Sequence, residues 1–506
     1  MTATTSRHRF VDPRSNDYKW WLLGVTSIGA LLASLTSGTL IIALPNILRD
    51  LHTDLFALLW IVVGYTLIVS ALVLNAGRLA DMVGRARSYT AGFAIFTVAS
   101  VLAALAGDAA QLIAWRLVQG VGGALLMANS AALVTDAFPR NQLGRALGIN
   151  AMVVGVGLIL GPVLGGWLTS FGWRWIFWFN LPIGIAGSIA AAAVLVELGE
   201  REKRVVIDWL GTLLYLVGVL GLMTALAFGG IYGWTTWWIA AGIIAFVVAT
   251  PLFILVEMRH EAPLLDLSLF HDRLFSLGNL SAFLNGVARN GVLFLLVFYL
   301  QGAKGDDPVL AGILLAPLAV GLLVLSPVSG LLADRYGSRE LATAGLLITG
   351  LGLAGLLTLG VDTPYWQLAL WQFVVGAGSG VFNSPNTSAV MGALPASKRG
   401  VGAGTRGMLV QAGYMISIAL SVGLVTSAMD PKVMLAIFSG TQSGTSGVDL
   451  RPFMDALHLA FGMGVVVSLV AAGVSLLRGG GPHHGMAHAA DPARPAHPAL
   501  AEEGQR

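Results

Sequence analysis

Cysteine is absent from the 506-residue sequence, and charged residues make up only 11% of it. The missing thiols exclude disulfide, thiolate and iron–sulfur chemistry. A soluble globular protein has about 25% charged residues, so this chain has too few of them to cover a water-facing surface. Because 56% of its residues are hydrophobic, we expect the chain to lie in a lipid bilayer.

Sequence motifs for ATP use and hydrolytic catalysis are also missing. The sequence contains no phosphate-binding P-loop, no HExxH and no GxSxG, which leaves no support for direct ATP use or for metal-dependent or serine hydrolysis. No cofactor is expected. The cations lie in short links between apolar runs, so the basic balance does not indicate nucleic acid binding. A lipid-handling membrane enzyme and a transport-dead sensor are kept as hypotheses.

Long apolar runs dominate the rest of the sequence and predict an all-α polytopic membrane protein, since a span needs about 20 apolar residues. Lys and Arg fall mainly in one alternate set of links, which places both termini in the cytoplasm by the positive-inside rule. We expect a multi-pass protein of the cell (inner or plasma) membrane. The fourteen predicted spans run near 20–44, 55–75, 88–106, 110–134, 146–169, 174–196, 208–228, 235–256, 275–300, 309–332, 342–360, 366–392, 405–427 and 458–477.

The chain contains an internal repeat. GRLADMVGRAR at 77–87 has a second copy in GLLADRYGSR at 330–339, and RLVQGVGGALLMANS at 116–130 resembles QFVVGAGSGVFNSPN at 372–386. The repeat predicts two related six-helix bundles with two inserted helices between them. The predicted divisions are a cytoplasmic tail at 1–19, the bundles at 20–200 and 261–477, the inserted pair at 201–260, a long outer loop at 428–457 and a disordered cytoplasmic tail at 478–506.

Several motifs in the same order resemble those of one transporter family. The link at 77–87 resembles the signature link of the major facilitator superfamily, and GVGLILGPVLGG at 155–166 is similar to its exporter motif. ALPNILRDL at 43–51 and WRWIFWFNLPIG at 173–184 resemble the fourteen-span drug:proton antiporter branch. The resemblance covers about residues 20–477. It implies the major facilitator fold and efflux by alternating access, driven by proton antiport.

The charges of the first link are predicted to form a cytoplasmic latch. Gly77, Asp81 and Gly84 have spacings that can share one helical face, where glycine would allow a close helix approach and the aspartate could meet a helix N-terminus. The resemblance implies that this N-terminus starts the span near 405, that Arg85 pairs with Asp136, and that the latch holds in the outward-open state and breaks in the inward-open one. The alternative, arginines that only set topology, does not explain Asp81. The predicted latch residues are Gly77, Asp81, Gly84, Arg85, Arg87 and Asp136, with Gly330, Asp334, Arg335 and Gly337 in the second half.

The fifth span carries small residues at regular spacing. Gly157, Gly161 and Gly165 are four residues apart, which predicts a face for close helix packing, and Pro162 is expected to bend the helix. We expect this span and Gly166 to pack on the matching span of the other half and to seal the outer side when the carrier faces inward. Simple helix packing is the alternative.

Two arginines lie inside predicted spans, where an ionisable residue indicates function by default. The resemblance links Arg116 to proton coupling, and bonding to backbone carbonyls at a span end is its alternative. Arg289 is deeper, with Asn285 one turn before it. Members of the branch often have an aspartate before the ALP motif, where this chain has Thr36, and no acid lies well inside a predicted span.

This pattern predicts a net-positive cavity that favours neutral or anionic amphipathic cargo. We expect an amphipathic small-molecule or lipid-like substrate, contact with membrane lipid, no nucleic acid, a monomer, and the proton gradient as energy source. For each candidate wall residue, helix–helix hydrogen bonding is the alternative to cargo contact. These candidates are Tyr65, Asn150, Asn285, Asn383, Asn386 and Gln411.

Overall fold

The structure, a computed structural model, consists of α-helices joined by short links throughout the part that it describes. That part comprises residues 17–197, 208–260, 265–394, 399–428 and 449–478, with the single residues Ser15, Pro263 and Ile437. The side chains of some helical residues, including Asp334 and Arg335, are outside it. So are most of the predicted N-terminal tail, most of the predicted outer loop and the predicted C-terminal tail after residue 478.

In the part of the chain that the structure describes, the first half and the inserted pair form nine helices. Their bounds are α1 Tyr18–Asp50, α2 Leu55–Val83, α3 Arg85–Ala104, α4 Ala109–Ala137, α5 Arg140–Ser170, α6 Trp175–Trp178, α7 Asn180–Val194, α8 Trp209–Tyr232 and α9 Trp237–Glu257. The short α6 and α7 together form the sixth span, Trp175–Val194.

The second half begins with a 3₁₀ turn at Leu267–His271, and its described residues form seven helices. Their bounds are α10 Arg273–Phe298, α11 Pro308–Leu314, α12 Ala316–Tyr336, α13 Ser338–Leu356, α14 Tyr365–Gly392, α15 Arg399–Ser427 and α16 Arg451–Leu477. A π-helical turn, Tyr299–Ala303, extends α10, and α11 and α12 form one span.

Twelve helical segments in the described part are long and apolar enough to cross a membrane. Two further long helices, α5 and α14, occupy the places of the other two predicted spans. The predicted edges are wrong by several residues at both ends of the chain. α1 continues through Pro45 to Asp50, and α16 begins at Arg451, inside the predicted outer loop.

Aspartate side chains begin several of these helices. Asp54 accepts a hydrogen bond at 2.9 Å from the backbone N–H three residues later. Such a cap satisfies an N–H group that the first turn leaves unpaired, and is worth about 1 kcal/mol. The acids at span edges are therefore helix caps in large part. The helices that follow Asp108, Asp208, Asp272 and Asp307 are capped in the same way.

The two halves meet closely at one end of the bundle. We call the end that holds Gly84 the inner end, because the Lys and Arg pattern predicts that it faces the cytoplasm, and the opposite end the outer end. At the outer end Gln301 donates a hydrogen bond from Nε2 to the backbone oxygen of Ile42 at 2.9 Å. Gly166 lies so close to Pro308 that a Cβ would clash. A buried apolar cluster that includes residues of α1, α10 and α15 fills this end, so the outer end is closed.

The inserted helices pack on both halves. Tyr215 of α8 shares a 2.7 Å hydrogen bond with Ser70 of α2. Further along, α8 lies so close to α15 that a Cβ on Gly423 of α15 would clash with the backbone oxygen of Leu226 of α8. Helices α2 and α15 belong to different halves and contact each other directly where Leu74 meets Gly404. Helix α8 of the inserted pair therefore lies against the seam between the halves.

Candidate functional site

Arg85, the first residue of α3, joins two carboxylates of the first half. Its Nε donates to Asp81 at 2.9 Å, and its Nη1 donates to both oxygens of Asp136 at 2.7 and 2.8 Å. The Arg85–Asp136 pair that the resemblance implies is therefore present. The three side chains are between 23% and 35% exposed, so water screens these ion pairs and each contributes about 1 kcal/mol or less.

Among the described residues, the first link has no ion pair with the opposite half. Within the described residues, Asp81 has Arg85 as its partner. The side chains of residues 399 and 400, at the start of α15, lie outside the described residues, so the predicted contact there stays a prediction. The outer end is closed here, and the latch hypothesis expects the contact to be absent in that state. Closure of the latch in the outward-open state stays a prediction. The proposed role of Arg87 in the latch also stays a prediction, and its side chain is exposed in this structure.

The glycine predictions for this link have different outcomes, and the one for Gly84 is wrong. Gly84 does not share the helical face of Asp81. It follows the last residue of α2 with φ +119° and forms the turn into α3, a backbone conformation that glycine adopts without a steric penalty. At Gly77 a Cβ would lie 3.9 Å from the Cβ of Ala128, which is an ordinary contact in this structure, so the close helix approach expected there in the closed latch stays a prediction.

A carboxylate that sequence reasoning missed closes the first link. Glu197, which follows the end of α7, accepts hydrogen bonds from the backbone N–H groups of Ala86 at 3.4 Å and Arg87 at 3.1 Å. These groups belong to the first turn of α3, where the helix dipole favours a negative charge. The carboxylate occupies the space that a Cβ of Gly84 would take. The end of the sixth span is thus held to the first link.

The second link has the same turn but a different partner. Gly337 follows α12 with φ +89°, and the next residue, Ser338, accepts a hydrogen bond on its backbone oxygen from Arg478. Arg478 follows the end of α16 and also donates to Oδ1 of Asn386 at 2.6 Å. Burial lowers the pKa of Arg478 to about 10, so the side chain is still charged at neutral pH.

The predicted residues of this second link have different outcomes. A Cβ on Gly330 would lie 2.8 Å from Oγ of Ser384, so α12 and α14 approach closely at that point. The side chains of Asp334 and Arg335 are outside the described residues, and their part in a latch stays a prediction.

The exporter motif packs on two neighbours, and the predicted neighbour is wrong. The small-residue face of α5 lies on α1 of the same half, because Gly157 meets Ser34, Gly161 meets Gly38 and Gly165 meets Thr39. The other half is reached from a different face. There Gly166 lies against α11, and Gly312 of α11 leaves no room for a Cβ beside the backbone oxygen of Pro162. The fifth span therefore packs on the second span of the other half rather than on its fifth.

A buried polar network connects the first span with the fourth. Oγ1 of Thr36 lies 3.5 Å from Oδ1 of Asn180, whose Nδ2 donates to Oγ of Ser100 at 3.4 Å. Gln119 donates to the same Oγ at 2.7 Å and accepts from Arg116 at 2.5 Å. Thr36, the position where relatives often carry an acid, is therefore linked to the buried arginine of α4 through neutral side chains.

Arg116 is held within its own half. It is 1% exposed, its Nε donates to the backbone oxygen of Ile61 at 3.1 Å, and its guanidinium lies 4.6 Å from the ring centre of Tyr65. The alternative to a role in proton coupling was that Arg116 bonds to a backbone carbonyl, and the structure contains such a bond. A cation over an aromatic face adds about 1–2 kcal/mol when both are desolvated.

The second half contributes cations that are less completely bonded. Arg289 donates from Nη2 to Asn290 at 3.0 Å, but its Nε has no hydrogen-bond partner within the described residues. Arg406, on α15, likewise has an unpartnered buried Nε. Tyr414, two turns further along α15, lies within electrostatic reach of both Arg116 and Arg289. Arginines from both halves therefore act electrostatically on the same tyrosine.

The structure separates the candidate wall residues into two groups. Asn386 donates to the backbone oxygen of Gly278 at 3.0 Å and is fully buried, and Asn150 donates to Ser130 at 3.1 Å, so both make helix–helix hydrogen bonds. The others either have a buried polar atom without a hydrogen-bond partner among the described residues or are partly exposed, and they are still candidates for cargo contact. These are Tyr65, Asn285, Asn383 and Gln411.

Sequence reasoning missed several members of this site. Ser100, Gln119 and Asn180 are polar residues within apolar runs, and Gln119 lies three residues after Arg116 on the same helical face. That spacing is a usable signal. Tyr414 and Arg406 have no comparable local signal, because their importance comes from what the other helices bring beside them.

The two antiporter-like motifs meet at the outer end. Asp50, in ALPNILRDL, accepts hydrogen bonds from Nε1 of Trp173 at 2.7 Å and from Nη1 of Arg174 at 2.5 Å. Both donors begin WRWIFWFNLPIG. The end of α1 is thereby fixed to the start of the sixth span.

Comparison with known proteins agrees with this architecture. The family model described as "Major Facilitator Superfamily" matches residues 26–209 and 278–477. The chain is 34% identical over 385 residues to the riboflavin transporter RibZ of Clostridioides difficile, which covers 76% of this chain and 83% of that protein. It is 30% identical over 493 residues to the tetracenomycin C resistance and export protein of Streptomyces glaucescens, covering 90% and 91%.

A solved structure shows the same fold. The crystal structure of the peptide transporter POT in complex with sulfate superposes with a TM-score of 0.63 at 16% identity, covering 90% of this chain and 95% of that one. The chain therefore belongs to the Major Facilitator Superfamily. It is a multi-pass membrane transporter of the superfamily's multidrug-export branch, and it is not an enzyme.

Proposed function

We propose that this transporter is a secondary active exporter of amphipathic small molecules, driven by proton antiport, with a net-positive cavity that favours neutral or anionic cargo. It would work as a monomer in the cell membrane, with both termini in the cytoplasm. The names of its relatives support small-molecule cargo, since one transports riboflavin and another exports tetracenomycin C. The exporter-like motif in α5 and the resistance proteins among the relatives support the outward direction.

The observation that carries the cargo proposal is the placement of charge around Tyr414. Arg116 of the first half and Arg289 of the second act on this one tyrosine. Within the described residues no carboxylate acts electrostatically on either arginine. A buried cation without a counter-ion is unfavourable, so an anionic group of the cargo would improve the electrostatics of the site, whereas a cationic drug would make them worse.

The two arginines differ in availability. Arg116 already has a backbone oxygen, a glutamine and an aromatic ring as partners. Arg289 is only partly buried by its neighbours and keeps an unpartnered Nε. Arg289 is therefore the side chain that we expect to contact an anionic cargo, and Arg116 is expected to set the local potential.

Proteoliposomes that contain the purified protein test the proposal. A panel of cationic, neutral and anionic compounds, with ethidium as the cation, is measured under an imposed pH gradient and again after an uncoupler. We expect gradient-dependent flux of anionic and neutral compounds. In Arg289→Ala the apparent affinity for anions should fall by about tenfold, the effect of losing about 1.4 kcal/mol of binding free energy, and neutral cargo should be unaffected.

Two variants serve as controls for this assay. Arg289→Lys keeps the charge and should retain most anion transport. Arg451→Ala removes an exposed cation at the outer end of α16 and should resemble the wild type. Strong transport of ethidium with no transport of carboxylates would contradict the cargo proposal, and flux that is insensitive to the uncoupler would contradict proton coupling. No flux of any compound would favour a sensor.

A further inference from the structure

The inserted helices bring two acids together at the inner end. Asp208 immediately precedes α8 and Glu257 is the last residue of α9, and they are 1% and 3% exposed. One oxygen of each is bonded to backbone: Oδ1 of Asp208 accepts from Gly211 at 2.7 Å, and Oε2 of Glu257 accepts from Leu265 at 2.9 Å. These bonds fix the orientation of both carboxyl groups.

The remaining two oxygens face each other. Oδ2 of Asp208 lies 2.2 Å and Oε1 of Glu257 lies 2.7 Å from the position that a Cβ of Gly211 would take, so the two oxygens are close neighbours. Neither oxygen has a donor within the described residues. Ionised carboxylates only accept hydrogen bonds, so two of them in contact repel each other. A single proton between them replaces this repulsion with an O–H···O hydrogen bond.

The charged group that faces the pair comes from α2. Arg78 acts electrostatically on both carboxyls and donates to the backbone oxygen of Pro263 at 2.5 Å. Asn75, also of α2, donates to Thr212 of α8 and has an unpartnered, buried Oδ1. With one proton on the pair, the pair and Arg78 are together neutral. Loss of that proton leaves a net negative charge in a buried place, which is unfavourable.

The surroundings fit a proton better than a metal ion. Hard cations such as Ca²⁺ or Mg²⁺ need about six oxygen ligands. Here two of the four carboxyl oxygens are already bonded to backbone N–H groups, and a guanidinium is close enough to repel a cation. The described residues contain no group of three or more acidic, histidine or cysteine side chains that could hold a metal.

We propose that Asp208 and Glu257 form a proton-binding site that joins the inserted helices to α2, and that its proton occupancy controls how α2 packs at the inner end. Helix α2 carries Asp81 at its inner end and contacts α15 of the other half, so it must move when the inner side opens or closes. Its polar contacts with α8 lie beside the acid pair, through Ser70 and Asn75. Loss of the proton recruits Arg78 towards the pair and changes these contacts.

This inference rests on alternating access but not on the proposed anionic cargo, so it is tested without any cargo. The full chain is placed in lipid nanodiscs and titrated. Infrared difference spectra report protonated carboxyl groups. Because the chain has no cysteine, Met82→Cys and Ala403→Cys can carry spin labels at the inner ends of α2 and α15 for distance measurement. The variants are Asp208→Asn and Glu257→Gln, with Glu340→Gln, an exposed acid of α13, as control.

We expect a protonated-carboxyl band at neutral pH in the wild type and in Glu340→Gln, and its loss in both test variants. The distance between the two spin labels should change with pH in the wild type. In Glu257→Gln it should stay, at every pH, at the value that the wild type shows at acidic pH. If the variants do not fold, Arg78→Gln is titrated instead. The protonated-carboxyl band of Arg78→Gln should persist to a proton concentration about tenfold lower than in the wild type, since loss of a nearby positive charge favours the protonated form of the acids.

Three results would overturn the inference. The first is a wild type without a protonated carboxyl at neutral pH. The second is a band that survives in both test variants. The third is a Glu257→Gln protein whose label distance follows pH as in the wild type. Failure of anion transport, by contrast, would overturn the proposed cargo and leave this site untouched.

Discussion

The two short links of the repeat have the same backbone and opposite charges around it. In each, a glycine with positive φ follows the second span, at Gly84 and at Gly337. In each, the residue just after the last span of that half reaches back to the link. In the first half it is Glu197, which accepts from N–H groups of α3. In the second half it is Arg478, which donates to the first carbonyl of α13.

This comparison shows that both halves join the end of their last span to the link, although the side chains that make this contact carry opposite charges. A carboxylate suits the first link because it faces a helix N-terminus, and a guanidinium suits the second because it joins a carbonyl to an amide oxygen. The first link keeps Arg85 with Asp136 at a partly exposed surface, while the second has its cation buried. We therefore expect the second link to be the more rigid and the first to be the one that changes between states.

Arg478→Ala is expected to have the largest effect on stability. The substitution removes the bonds to Ser338 and Asn386 and leaves a buried amide oxygen without a donor. Loss of charged hydrogen bonds at a buried site costs about 3 kcal/mol. The apparent melting temperature in detergent, followed by tryptophan fluorescence, should fall by several degrees. Arg451→Ala, at an exposed position, is the control, and an unchanged melting temperature for Arg478→Ala would show that the second link is not rigid.

The pair Gly84→Ala and Gly337→Ala compares the two turns directly. Both substitutions place a side chain at positive φ, which costs about 1–3 kcal/mol. At Gly84 the new Cβ also meets the carboxylate of Glu197, whereas at Gly337 it meets only Oε2 of the exposed Glu340, 2.7 Å away, which can move aside. Gly84→Ala should therefore destabilise more, as measured by thermal unfolding of both variants in one detergent. Equal losses would mean that Glu197 is not fixed at the link.

Twelve spans were predictable because hydropathy and length alone define them, and the helices α5 and α14 occupy the other two predicted positions. Their ends were not, because a helix can continue past its apolar run. The polar start of α16 shows this: Arg451 and Pro452 begin a helix whose apolar stretch comes later, and proline suits the first turn.

Residues of the site were predictable only where their spacing or the family resemblance already indicated a contact. The spacing of Arg116 in its span indicated a buried cation, and the family resemblance implied the Arg85–Asp136 pair. Glycine spacing showed that one face of α5 packs closely, but not that α1 is its neighbour, because spacing contains no information about the partner helix. Glu197 and Arg478 lie outside any motif. Their partners are determined by where the last span of each half ends, which only the assembled bundle reveals.

Glu197→Ala should produce the smallest of these effects and decides whether the carboxylate closes the first link. It removes the acceptor for two N–H groups of α3 and the favourable interaction with the helix dipole, which together are worth about 1 kcal/mol. Glu197→Gln keeps an acceptor but loses the charge, so its loss should be about half as large. Thermal unfolding measures both, with Glu340→Gln as the matched control in the first turn of α13. If Glu197→Gln were as damaging as Glu197→Ala, the charge rather than the hydrogen bonds would hold the link, and high salt should then reproduce the loss in the wild type.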